Sequence, residues 1–101
     1  MLPNKELLQG IALRVCVTAT YNRDRIVLAP HVLYTKHGEE HADGVVLERN
    51  GAPPREPKLS TFKLAGLHEV AVTDRAFVAD PLFDPNAEKY AGVTLFVVDR
   101  T

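Results

Sequence analysis

The sequence predicts a mainly β domain: a small, strongly bent five-stranded barrel with an N-terminal helix and a C-terminal helix-strand extension. Three observations carry this. From Arg14 to Tyr21 apolar and polar residues alternate with period two. Turn-forming clusters recur at Asn22-Arg23-Asp24, His37-Gly38-Glu39-Glu40 and Asn50-Gly51-Ala52-Pro53-Pro54, dividing the chain into short strands. The 101 residues suffice for one domain and one core, which buries about two thirds of the unfolded surface. The domain is expected to span 1–101, with its core over about 4–78 and its extension over about 79–101.

Taken in order, Asn4 can cap a helix whose Leu7, Leu8 and Ile11 fall at helical spacing on one side. Gly10 lowers the intrinsic stability of that helix by roughly 1 kcal/mol, so tertiary packing must hold it. In the strand that follows, Val15, Val17 and Ala19 face one way and Cys16, Thr18 and Thr20 the other. Asn22-Arg23-Asp24 turns the chain into a return strand from Arg25 to Leu33. Pro30 has no N–H for a ladder, which puts it at a bend, a bulge or an edge. A third strand runs from His41 to Glu48, with Gly44 as its kink or bulge. Leu59 to Leu64 and Leu67 to Thr73 complete the five strands. In the extension, Asp84-Pro85 is a helix start, and that helix runs to about Tyr90 before Gly92 stops it. Val93 to Val98 then reads as an apolar strand buried on both faces, by the domain itself or by a partner chain.

Composition excludes several classes of function. Twelve Lys and Arg against 13 Asp and Glu are not the balance of a nonspecific nucleic-acid binder. The charges are unevenly spread: residues 1–38 hold five basic and two acidic side chains, whereas residues 39–101 hold seven and eleven. A local basic face of Arg14, Arg23, Arg25 and Lys36 is one reading of this asymmetry; scattered, solvated charges are the other. No apolar run approaches the roughly 20 residues of a membrane helix, and the N-terminus lacks the pattern of a signal peptide, so a cytoplasmic protein is expected. The single Cys16 cannot form an internal disulfide and reads as a packed thiol. His37 and His41 share the spacing of a helical metal pair, but Gly38 in a hairpin turn spoils that geometry, and no metal or other cofactor is expected. No nucleophile context or glycine-rich phosphate loop is present, so the chain does not read as an enzyme.

Several residues carry a family resemblance. Leu7-Leu8-Gln9-Gly10-Ile11, Tyr21, Arg25, Pro30 and Phe62-Lys63-Leu64 follow the frame of a WYL domain, in which a Leu-Leu-x-x-Ile helix leads to a strand ending in Tyr, a tight turn, a strand running into Pro, and later a Phe-Arg-Leu-Asp-Arg-Ile strand. The chain resembles that family over roughly residues 4–78. It departs at the name-giving triplet, whose positions fall on Glu40-His41-Ala42. In the later motif the first Arg falls on Ser60, Lys63 keeps the charge of the second, and Ala65-Gly66 replace the Asp-Arg pair.

The resemblance implies an Sm-like barrel and a stand-alone regulatory module, because the first helix already belongs to the domain. It also implies that Tyr21, Arg25, His41 and Lys63 bind a small anionic ligand, a nucleotide or a single-stranded nucleic acid. The chemistry would be base stacking on rings, about 1 to 3 kcal/mol per base, and neutralisation of phosphate by cations. Two alternatives stay open. Tyr21 can instead close the core at a strand end, with Arg25 and Lys63 solvated. The whole module can instead be a degenerate, non-catalytic barrel kept for protein-protein interaction, as a homodimer joined through a strand edge.

Overall fold

A computed structural model describes residues 4–99. Helix α1 (Asn4–Leu13) is followed by β1 (Val15–Tyr21), β2 (Asp24–Lys36), β3 (Glu39–Arg49), β4 (Leu59–Lys63), β5 (His68–Ala76) and β6 (Thr94–Val97). All pairings are antiparallel, and the sheet runs β4-β3-β2-β1-β5, with β6 also paired to β2.

Tight turns set the register of the first hairpins. Asn22-Arg23 and His37-Gly38 both have positive φ at two successive residues, the two-residue connection that matches strand twist. Strand β2 is 13 residues long and organises the sheet. One edge pairs with β3 along almost its whole length; the other pairs with β1 up to Leu28 and with β6 from Val32. Between those two stretches His31 is an extra residue, since Pro30 lies opposite Gly44 and Val32 opposite Asp43. The expected irregularity at Pro30 and Gly44 is therefore a bulge on β2. Gly44 permits it by close approach, because a Cβ there would lie 2.5 Å from the Ala29 carbonyl oxygen.

One face of this sheet, together with α1, forms the main core. Val17, Ala19, Ile26, Leu28, Phe62 and Leu64 are buried in the same cluster as Leu7 and Ile11 of the helix. Leu8, expected beside them, is instead partly exposed. The helix already includes Asn4, so a capping residue ahead of it falls outside the described residues. Gly10 is held by packing: a Cβ there would lie 3.0 Å from both the Val15 carbonyl oxygen and Val17. Cys16 is fully buried, and burial raises its thiol pKa, as befits a packed cysteine.

The sheet is open. A 3-10 turn (Leu64–Gly66) joins β4 to β5, and no pairing links those two strands among the described residues. The extension differs from expectation in two respects. In place of a helix from Asp84 to Tyr90 there is a single 3-10 turn, Glu88–Tyr90. Asp84 accepts the Asn86 N–H on its side chain and the Ala87 N–H on its carbonyl, so the start signal is spent on a local turn. The last strand is not buried on both faces: all four residues of β6 are exposed, and only Val98 beyond it is buried. Among the described residues no helix is long and apolar enough to cross a membrane.

Candidate functional site

The side of β2 and β3 opposite Phe62 carries the polar interior of the molecule. Asp43 on β3 is 1% exposed, and three donors converge on its carboxylate. Tyr34 of β2 donates to Oδ1 at 2.7 Å, while Tyr90 and Lys89 of the C-terminal arm donate to Oδ2 at 2.5 and 2.8 Å. Burial pushes the Asp43 carboxyl pKa up, but the bonds from Lys89, Tyr90 and Tyr34 more than offset it, and the net shift is downward. The Tyr90 hydroxyl moves the other way, its pKa raised by burial and by the carboxylate it serves. Lys89 also reaches the Thr61 hydroxyl at 3.3 Å, and its ammonium lies 5.4 Å from the centres of the Tyr34 and Tyr90 rings.

A second anchor lies at the bulge. His31 is fully buried; its Nδ1 donates to the Ala29 carbonyl at 2.8 Å, and its Nε2 accepts the Asp80 N–H at 2.9 Å. Phe77 and Phe83 pack on the imidazole with ring centres 5.1 and 5.4 Å away. The aromatic series continues through Phe83–Tyr90 and Tyr90–Tyr34 to the stacked pair Tyr34–His41. These contacts fasten residues 77–98 to the sheet, and β6 extends from the fastened segment.

Of the four residues expected to bind a ligand, His41 and Lys63 lie together, while Tyr21 and Arg25 are on opposite faces of the first hairpin. His41 and Lys63 are direct cross-strand partners on β3 and β4. Lys63 is ion-paired with Glu39 at 2.7 Å, and His41 donates from Nδ1 to the Glu39 carbonyl. Tyr21 packs edge-on against Phe62, the residue before Lys63, and so lies on the core side of β4 while Lys63 points the other way. Arg25, on the strand next to Tyr21, donates to the Thr20 hydroxyl at 2.8 Å. Among the described residues no hydrogen bond, ion pair or ring contact joins Tyr21 to Arg25, or either of them to His41 and Lys63.

The clefts formed by the described residues include two, on either side of β4. One, of about 410 Å³, lies between β3, β4 and the proline loop, and is lined by Val46, Arg49, Pro53, Pro54, Glu56 and Lys58 among others. The other, of about 270 Å³, is lined by Gly38, Glu39, Glu40, Lys63 and Ala65. Among the described residues no cluster of three or more His, Cys, Asp or Glu could hold a metal ion. The chain matches no protein-family model, no curated protein and no solved structure.

Proposed function

We propose that the chain is a non-catalytic module, a divergent WYL-like domain built on an open sheet, that assembles with a second copy of itself through β6. The carrying observation is that β6 is the uncharged edge of the sheet. Strand β4 ends in Lys63 and β5 carries Glu69, Asp74 and Arg75, the kind of charges that block unwanted edge-to-edge pairing. Strand β6 reads Thr94-Leu95-Phe96-Val97, with Leu95 51% and Phe96 and Val97 39% exposed. Antiparallel addition of the same strand about a two-fold axis would satisfy its outer backbone groups and cover these side chains. The WYL-like reading is supported by the leading helix, the strand order and the strongly irregular β2, which serves three neighbours, although the sheet stays open between β4 and β5.

The ligand-binding alternative is less favoured on charge. Lys63 is already neutralised by Glu39, and the cleft beside it also carries Glu40, which repels phosphate. Light scattering of the wild-type protein at high micromolar concentration should give the mass of a dimer, and Phe96→Asp should give a monomer. A monomeric wild type removes the proposal. Salt-dependent binding of a short single-stranded oligonucleotide, lost in Lys63→Ala, would favour the alternative.

A further inference from the structure

His31 is a fully buried titratable group at a bulge, and its side chain is turned onto the C-terminal arm. A backbone carbonyl only accepts and a backbone N–H only donates, so the bonds to Ala29 and Asp80 together require a neutral imidazole with its proton on Nδ1. Both rings on the imidazole, Phe77 and Phe83, belong to the same arm as Asp80. The arm then returns to His31 through its backbone: beyond β6, the Val98 N–H donates to the His31 carbonyl at 2.8 Å. Docking of the arm and the charge of the imidazole are therefore coupled. A proton on Nε2 would aim one donor at another, leave the Asp80 N–H without its acceptor, and place a cation among aromatic rings away from water.

We propose that His31 is a proton-operated latch for residues 77–98: the neutral ring holds the arm and β6 on the sheet, and the protonated ring releases them. Its consequence for assembly, that mild acid separates the two copies, rests on the function proposed above; the latch itself does not. From β2 the Ala29 carbonyl faces the ring, and from the arm the Asp80 carboxylate acts on it while accepting the Leu82 N–H. Both favour the proton, but burial opposes it more strongly and lowers the His31 pKa below its ordinary 6.5. The released state therefore binds the proton more readily than the docked state. Docking keeps its full advantage above about pH 6.5 and loses it as the pH falls below that value, by at most about tenfold in the released population per pH unit.

Amide hydrogen exchange followed by NMR reads the latch directly, in the wild type and in Phe96→Asp. Protection at Asp80 and Val98 should fall between pH 7.5 and 5.5, after correction for intrinsic exchange, while that of Ile26 in the β1–β2 ladder holds. His31→Gln, which has an acceptor oxygen and does not titrate, should flatten the response. Should that variant not fold, the wild type still decides: constant protection at Asp80, or an equal fall at Ile26, overturns the latch. The two proposals also separate. A dimer whose arm is indifferent to pH overturns the latch alone, whereas a wild type that is monomeric throughout, with an arm that opens in acid, overturns the assembly and supports the latch.

Discussion

Asp43 shows how much of the interior depends on one carboxylate. It is buried, and its three donors come from β2 and from the arm. Asp43→Asn keeps the size of the side chain but replaces charge-assisted bonds with neutral ones, and one of its two terminal atoms becomes a donor facing donors. The expected loss is about 1.5 to 3 kcal/mol, the range for hydrogen bonds to a charged group, measured by urea unfolding. Half of the Lys89 side chain is exposed, so the freed ammonium can turn to water and the loss stays below that of a stranded buried ion. This site was not legible in the sequence. Asp43 sits between Ala42 and Gly44 in a strand pattern, and its arm partners lie 46 and 47 positions away in a segment that read as a separate helix. His31 was hidden for a different reason: β2 is buried on both faces from Leu28 to Tyr34, so there is no period-two alternation in which the phase shift of one extra residue could show. Tyr21 was legible as a strand end, and its edge-on contact with Phe62 gives it the core-closing placement that was the alternative to ligand binding.

Among the elements, the hairpins were the most legible, because turn residues and alternation pointed the same way. Phe62 and Leu64 share the core cluster with Val17 and Ile26, as the register required. Phe62→Ala should cost about 3 to 5 kcal/mol in urea unfolding, the usual range for truncating a buried Phe. Thr61→Ala should cost far less, since Thr61 is exposed, takes no part in the core cluster, and its hydroxyl only adds to bonds that Lys89, Tyr34 and Asp43 already make with one another. Equal losses at the two positions would contradict the strand register. The extension was the least legible element. A segment of seven residues from Asp84 to Tyr90 offers little propagation to offset the cost of starting a helix, and Phe83, Lys89 and Tyr90 are drawn instead to His31 and Asp43. The apolar run Leu95 to Val98 read as doubly buried because hydrophobicity reports that cover is needed, not which chain supplies it. Within one chain only Val98 is covered.

At the scale of the whole molecule, the arm is held by both groups that govern acid stability and carries the strand proposed to join two copies. His31 and Asp43 both have pKa values below their ordinary 6.5 and 3.8. Each therefore contributes stability that is present above its ordinary value and lost as the pH falls through its folded one. Thermal unfolding followed by circular dichroism should show two stages of loss, one beginning below about pH 6.5 and one below about pH 4. His31→Gln should remove the first and leave the second. The central claim is that β6 joins two copies, and isotope-filtered NOE spectroscopy on an equal mixture of labelled and unlabelled wild-type protein tests it most directly. The account predicts intermolecular contacts among Leu95, Phe96 and Val97 of the two copies. Their absence in a protein that is monomeric at high micromolar concentration, or intermolecular contacts confined to β4 or β5, would contradict it.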